Sequence, residues 1–142
     1  MRIEGKILEE IISTIGKFEP ETGGVLGMRG GVVCAFYFDK NSVRRTDEYC
    51  PNTQDINSVL AGWSGEGVSF GGIIHSHPNG CCLLSGGDRE GIEAIVKAIP
   101  PMDELYFPVV TNEGGAFSMS VYRVTGAKER ICIDEVSYEV LG

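Results

Sequence analysis

Two histidines, the only ones in the chain, lie one residue apart at the end of an apolar run: VSFGGII leads into His75 and His77. Pro78 follows, and because proline cannot donate a hydrogen bond to a sheet ladder, a strand through this run must end there. Side chains two residues apart on a strand point to the same side, so both imidazoles can reach one point. The pair predicts a metal site at a strand end, or else a pair used for hydrogen bonding or capping.

Three segments carry apolar residues at the spacing of an amphipathic helix. The first covers residues 6–16, and the second runs through Ile56 to Trp63. The third covers residues 88–99 and is closed by Pro100 and the proline after it. We therefore predict about three helices.

The remaining apolar segments read as strands, several with alternating apolar residues. A glycine turn separates two of them, which predicts a hairpin. The predicted strands are Gly24–Met28, Val32–Phe38, a short edge strand at Arg45–Tyr49, and residues 68–77, 104–111, 114–124 and 131–140. Helices and strands alternate first, and strands follow one another at the end. This order predicts an α/β (α+β) fold with a central mixed β-sheet flanked by the helices, in a single domain over residues 1–142.

Composition restricts the partners and the compartment. A formal net charge of −8 disfavours nonspecific binding to nucleic acid or to an anionic membrane, since both need a basic surface. No apolar stretch is long enough to span a bilayer, and the acidic, helical beginning does not resemble a secretory signal. Five cysteines form an odd set without the spacing of a disulfide framework. We predict a cytoplasmic protein, and the sequence makes no prediction about its oligomeric state.

A second feature follows the histidines at the start of the third helix, where Ser85 and Asp88 lie three residues apart. Ser85 can cap this helix while Asp88 complements its dipole. If the helix begins beside the strand end, Asp88 can also serve as an oxygen ligand. Two imidazoles and one carboxylate leave a fourth position of zinc open for water, as in catalytic sites. Amide hydrolysis then requires a glutamate that is not a ligand, and spacing leaves three candidates: Glu19, Glu21 and Glu66.

The stretch HSHPNGCCLLSGGD matches His-x-His, seven residues, then Ser-x-x-Asp, and so resembles the signature of the JAMM (MPN+) metalloprotease family. The upstream EPETGGVLG is similar to the segment in which that family places a glutamate before an apolar strand. The resemblance implies the cytidine-deaminase-like JAMM/MPN fold, with Zn²⁺ held by His75, His77 and Asp88. It also implies that Glu21 handles the proton of the metal-bound water and that Ser85 helps to stabilise the oxyanion.

Compact prokaryotic members of the family resemble this chain in length, and they are associated with small ubiquitin-like and sulfur-carrier proteins ending in Gly-Gly. The resemblance therefore implies a zinc-dependent (iso)peptidase acting at the C-terminal region of such a protein. Two alternatives are a non-catalytic MPN-type scaffold or binding module, and a zinc hydrolase of small-molecule amides. The adjacent Cys81 and Cys82 are interpreted as ordinary loop residues, because three ligands are already supplied.

Overall fold

The structure, a computed structural model, describes residues 1–17, 21–44, 49–78, 80–100, 104–127 and 130–142. Its helices are α1 (Gly5–Ser13), α2 (Thr53–Gly65) and α3 (Gly86–Ala98). Its strands are β1 (Arg2–Glu4), β2 (Gly23–Arg29), β3 (Val32–Phe38), β4 (Val43–Arg44), β5 (Tyr49–Cys50), β6 (Ser69–Ser76), β7 (Glu104–Glu113), β8 (Ala116–Ala127), β9 (Arg130–Val136) and β10 (Glu139–Leu141).

Eight of these strands form one mixed sheet in the order β10-β1-β3-β2-β6-β7-β8-β9, and β4 pairs with β5 in a small second sheet. The two edge strands, β9 and β10, follow each other in the chain with two residues between them. Because three residue steps span only about 10 Å, the sheet must curl to bring its edges together. The ammonium group of Met1 donates to the Ser137 carbonyl oxygen at 2.9 Å, next to this junction.

The two faces of the sheet bury different sets of apolar side chains. One face, which includes Ile74, packs against Ile7 and Ile11 of α1. The other face, which includes the partly buried Ile73, packs against Ile92 of α3. Since neighbouring residues of β6 alternate between these faces, a residue two positions beyond Ile73 lies on the α3 face. This alternation directs the end of β6 towards the beginning of α3.

The predicted fold class is confirmed: the described residues form a central mixed sheet with three helices. The differences lie mainly at the ends of the chain. Helix α1 ends at Ser13, before the predicted limit, while β1 was missed because three residues carry too little pattern. The predicted strand 131–140 divides into β9 and β10 on opposite edges. Most of the predicted edge strand Arg45–Tyr49 lies outside the described residues. Among those that are described, no helix is long and apolar enough to cross a membrane.

The second glycine of the Gly71–Gly72 pair in β6 is required for a steric reason. Strand β6 bulges against β2 beside Leu26, and Gly72 there has a φ of 131°. A Cβ atom at this position would collide with the backbone oxygen of Tyr106 in β7. Glycine is therefore required where the histidine strand approaches its parallel neighbour.

We expect Gly72→Ala to lower the free energy of unfolding by about 3 kcal/mol or more, because a strained backbone and a backbone collision add together. Urea denaturation measures this change. Gly62→Ala is the matched control, since Gly62 lies inside α2 with open space around it. The control should raise stability by about 0.5–1 kcal/mol. Equal effects of the two substitutions would contradict the steric explanation.

Candidate metal centre

The antiparallel pairing of β2 with β6 places Glu21 beside the histidines. Gly23 lies opposite His75 in this ladder. Continuing the register by two residues puts Glu21 opposite His77, and directly opposed residues of an antiparallel pair project to the same face. One carboxylate oxygen of Glu21 and one ring nitrogen of each histidine lie within 4.8 Å of one another. Glu21 and His75 are buried, and His77 is half-buried.

Asp88, at the beginning of α3, approaches the same point. Its Oδ1 lies 3.1 Å from Nε2 of His75, and its Oδ2 lies 3.0 Å from Nε2 of His77. The two Nε2 atoms are 2.9 Å apart. The predicted ligands His75, His77 and Asp88 therefore converge in space, although they come from a strand and a helix.

A reciprocal capping box fixes the orientation of Asp88. Ser85 is the N-cap of α3, and its Oγ accepts a hydrogen bond from the Asp88 backbone N–H at 3.0 Å. The Ser85 backbone N–H donates to Oδ2 of Asp88 at 2.9 Å. The carboxylate is thus held by the helix start while both of its oxygens face the imidazoles. The capping role and the ligand position predicted for Asp88 are compatible in one geometry.

The loop between the histidines and α3 orients one of the rings. Nδ1 of His77 lies 3.1 Å from the carbonyl oxygen of Cys81, which can only accept, so Nδ1–H is the donor. This bond turns Nε2 towards His75 and Asp88, as expected for a ring whose second nitrogen is to bind a metal. The thiol of Cys82 instead lies 3.6 Å from the Thr111 hydroxyl. In the described part of the chain, the metal-compatible group consists of Glu21, His75 and His77.

The charges of the site favour an ion pair across it. The hydrogen bond with Asp88 raises the pKa of His77 to about 9, against the opposing effect of burial, and the charges of Asp88 and Glu21 act in the same direction as the hydrogen bond. Burial disfavours the charged form of Asp88, but hydrogen bonds from His75 and His77 outweigh it and hold its pKa well below the usual range. The centre therefore carries concentrated negative charge that a proton or a cation can neutralise.

Tyr49 lies beside His75, a contact that the sequence did not predict. The ring of Tyr49 stacks on the His75 ring with centroids 6.4 Å apart and planes 14° apart. The Tyr49 hydroxyl donates to Oδ2 of buried Asp39 at 2.7 Å, and a Cβ at Gly23 would collide with the tyrosine ring. Burial, followed by this hydrogen bond, raises the pKa of Tyr49 far above its usual range. Tyr49 lies in a polar stretch without periodicity, so no pattern could have indicated this contact.

A pocket of about 470 Å³ adjoins the centre and includes His75, Ser85 and Asp88 in its lining. The rest of the lining is mostly apolar: Tyr49, Pro51, Ile73, Leu84, Gly87, Gly91, Ile92, Ile95 and Phe107. Such a volume and composition are typical of ligand sites, with a few polar groups converging at one side. The predicted residue Ser85 therefore lies at the junction of the pocket with the histidine centre.

Of the two candidate glutamates that the structure describes, Glu21 and Glu66, Glu21 lies at this centre. Glu66 is exposed at the C-terminal end of α2, just before β6 begins, whereas the histidines lie at the end of that strand. The length of β6 separates the two by about 20 Å. Glu19 lies outside the described residues.

The donor set is chemically and geometrically suitable for a metal ion. With bonds of about 2.0–2.1 Å in a tetrahedral arrangement, ligand atoms are about 3.3 Å apart. The two Nε2 atoms are 2.9 Å apart and lie 3.1 and 3.0 Å from Oδ1 and Oδ2 of Asp88, so each contact needs only a slight expansion to reach that separation. The Glu21, His75 and His77 donors form a second group that can hold an ion. Two carboxylates, those of Glu21 and Asp88, are thus available beside the imidazole pair.

Comparison of the sequence with protein-family models and with curated proteins finds no match. The fold, however, is similar to that of solved proteins. It matches the solution structure of DSY2949 from Desulfitobacterium hafniense with a TM-score of 0.73 and 18% identity, over 99% of this chain and 92% of that one. It also matches AF2198, a JAB1/MPN domain protein from Archaeoglobus fulgidus, with a TM-score of 0.57 and 18% identity, over 99% and 97% of the two chains.

The ion pair generates a prediction about pH. The raised pKa of His77 stabilises the metal-free fold fully below the unfolded value of about 6.5, and this contribution is lost as pH rises through about 9. The lowered pKa of Asp88 contributes above about pH 3.9 and is lost as pH falls. We expect chelator-stripped protein to lose stability between pH 6.5 and 9, as measured by urea denaturation.

Asp88→Asn is the control for this measurement, because it removes the charge that raises the pKa of His77. The variant should show a flatter profile between pH 6.5 and 9, while other titrating groups affect both proteins alike. Parallel profiles for the variant and the parent protein would show that the pair does not contribute.

Proposed function

We propose that this chain, which has the fold of a JAB1/MPN domain protein, is a zinc-dependent (iso)peptidase. Its substrate would be the C-terminal region of a small ubiquitin-like or sulfur-carrier protein. The observation that carries the proposal is the convergence of two imidazoles and two carboxylates at the edge of an open pocket. Such a cluster can both bind a cation and move a proton, which are the two requirements of metal-assisted amide hydrolysis.

Zinc is the metal that best suits this set of nitrogen and oxygen donors in a compact, nearly tetrahedral arrangement. His75, His77 and Asp88 would hold it, and the two short contacts of Asp88 with the imidazoles support this set over one that includes Glu21. Bound zinc would polarise the scissile carbonyl and lower the pKa of water towards neutrality. His77 is oriented for ligation by its bond to the Cys81 carbonyl, and His75 by the ring of Tyr49.

Glu21 would then be the proton carrier. Its buried carboxylate belongs to the residue opposite His77 in the extended β2–β6 register, and one of its oxygens lies within 4.8 Å of a ring nitrogen of each histidine. In the proposed reaction, a carboxylate oxygen of Glu21 accepts a proton from the attacking water. The same group delivers that proton to the leaving amine nitrogen, so the carboxylate is regenerated.

Ser85 would stabilise the charge that develops on the carbonyl oxygen. Its Oγ accepts from the Asp88 backbone N–H, which fixes the oxygen and leaves the hydroxyl hydrogen available for donation. A donor already oriented at the pocket edge loses little entropy during the reaction, and this is the usual basis of oxyanion stabilisation. The same bond makes Ser85 a structural cap of α3.

The pocket supports a protein terminus as the substrate. Gly87 and Gly91 lie four residues apart on α3 and contribute no side chain to the lining. An extended backbone ending in small residues can therefore approach Ser85 and Asp88 closely. The apolar walls from Ile73, Leu84 and Phe107 would bury an apolar side chain further from the scissile bond. The pocket volume also suits a small-molecule amide, which is the second candidate substrate class.

A non-catalytic scaffold is disfavoured by the same geometry. Such a module needs neither metal ligands nor a proton carrier, yet His75, His77, Asp88 and Glu21 converge in this chain.

Two isosteric substitutions separate the roles of the carboxylates. Glu21→Gln should keep zinc affinity within about threefold while lowering kcat by at least about 100-fold, because proton transfer is lost. Asp88→Asn should weaken zinc binding by at least about tenfold, since a ligand charge is lost. Competition with a chelator measures zinc affinity, and cleavage of a fusion substrate measures kcat. The opposite pattern, with zinc lost from Glu21→Gln, would make Glu21 a ligand.

Substrate class is tested by comparing fusions that carry a Gly-Gly junction after a ubiquitin-like domain with small acyl amides. We expect zinc-dependent cleavage immediately after the Gly-Gly, with kcat/KM at least about 100-fold above that for the small amides, because the pocket binds the preceding residues as well. Replacing Gly-Gly by Ala-Ala provides the control and should slow cleavage. Preference for the small amides would assign the protein to the second substrate class.

A further inference from the structure

Ser76, the residue between the two histidines, faces away from the metal centre. Alternation along β6 directs its side chain to the opposite face of the sheet, and only 4% of the residue is exposed. The opposing residue in the extended register is Thr22, which is also buried. The motif residue that contributes no ligand therefore lies against the segment that carries Glu21.

Three contacts join these two residues in addition to an ordinary strand bond. Oγ of Ser76 accepts from the Thr22 backbone N–H at 3.0 Å and lies 3.3 Å from the Thr22 carbonyl oxygen. It also lies 3.4 Å from the Thr22 hydroxyl. The Ser76 backbone N–H donates to the Thr22 carbonyl oxygen at 2.9 Å.

The serine hydroxyl replaces a hydrogen bond that the backbone does not make here. Strand β2 begins at Gly23, so Thr22 precedes the regular ladder. The ladder bond engages only the Thr22 carbonyl, whereas the N–H, which belongs to the peptide unit joining Glu21 to Thr22, is bonded to the serine. Without the hydroxyl, a buried N–H would lose its acceptor, which favours opening of this segment.

We infer that Ser76 is a positioning residue for Glu21: its hydroxyl fixes the Glu21–Thr22 peptide and thereby holds the Glu21 carboxylate opposite His77. The short segment 75–77 then has two functions. His75 and His77 project to the face of the sheet that carries the proposed metal site. Ser76, on the opposite face, sets the distance from His77 to the proposed proton carrier Glu21. The inference rests on the proposed function for its catalytic consequence.

Ser76→Ala tests the inference. We expect kcat to fall about 10- to 100-fold, because a displacement of the order of 1 Å is enough for such a loss. Zinc affinity and KM should stay within about threefold, since the ligands are held by other bonds. Ser76→Thr keeps the hydroxyl and should recover most of the lost kcat. Ser69→Ala is the matched control: this serine is on the same strand, and its hydroxyl donates to the Met28 carbonyl of β2 at 3.2 Å.

A double-mutant cycle shows whether Ser76 acts through Glu21. In a Glu21→Gln background, Ser76→Ala should lower the remaining kcat by less than about twofold, because the group it positions is already gone. A further loss of 10-fold or more in that background would overturn the inference. So would a kcat loss in Ser69→Ala equal to that in Ser76→Ala.

Amide hydrogen exchange provides a readout that does not require activity. In metal-free protein, Ser76→Ala should accelerate exchange at the Thr22 amide by at least about tenfold, whereas Ser69→Ala should leave it unchanged. Unchanged exchange at Thr22 in Ser76→Ala would overturn the inference even if the enzyme is active. Absence of cleavage by the parent protein, together with the accelerated exchange, would reject the proposed function and retain the structural role of Ser76.

Discussion

The antiparallel pairing of β2 with β6 is the interaction on which the site depends. It places Gly23 opposite His75, and the register then carries Glu21 to His77 and Thr22 to Ser76. A shift of one residue would send Glu21 to the far face of the sheet, because side chains alternate along a strand. Gly72, the bulge beside Leu26 and the close approach of Tyr106 all constrain β6. The pairing of the two strands over more than about 10 Å of backbone thus determines the distance between the side chains of Glu21 and His77.

A helix start completes what the strand pair begins. The free N–H groups at the beginning of α3 favour a carboxylate there, and the capping box uses Asp88 for that purpose. The same carboxylate is then held against two imidazoles, where hydrogen bonds keep it ionised despite burial. A local rule for starting helices therefore supplies a charged group at the point where a metal site needs one. Ser85 is fixed by the same box, so the proposed ligand Asp88 and the proposed oxyanion donor Ser85 share one structural support.

Local patterns predicted most of the fold, and the spacing of His75, His77 and Asp88 predicted their convergence. Contacts between distant segments were not predictable in this way. The choice of Glu21 among three glutamates depends on the β2–β6 register, which periodicity does not reveal, and only the family resemblance selected it. The hydrogen bond from Tyr49 to Asp39 joins residues of polar segments, which carry no periodic pattern from which the contact could be predicted. Strand β10 follows β9 by two residues but pairs with β1, because the curl of the sheet brings the opposite edges together.

X-ray absorption at the zinc edge of the zinc-loaded protein tests the central claim most directly, because it reports which atoms surround the ion. The site predicts a first shell of about four nitrogen and oxygen atoms at about 2.0–2.1 Å, with imidazole scattering from two histidines and no sulfur. Asp88→Asn should change this shell, and Glu21→Gln should leave it unchanged. A sulfur shell at about 2.3 Å, from Cys81 or Cys82, or a shell without imidazole, would contradict the account.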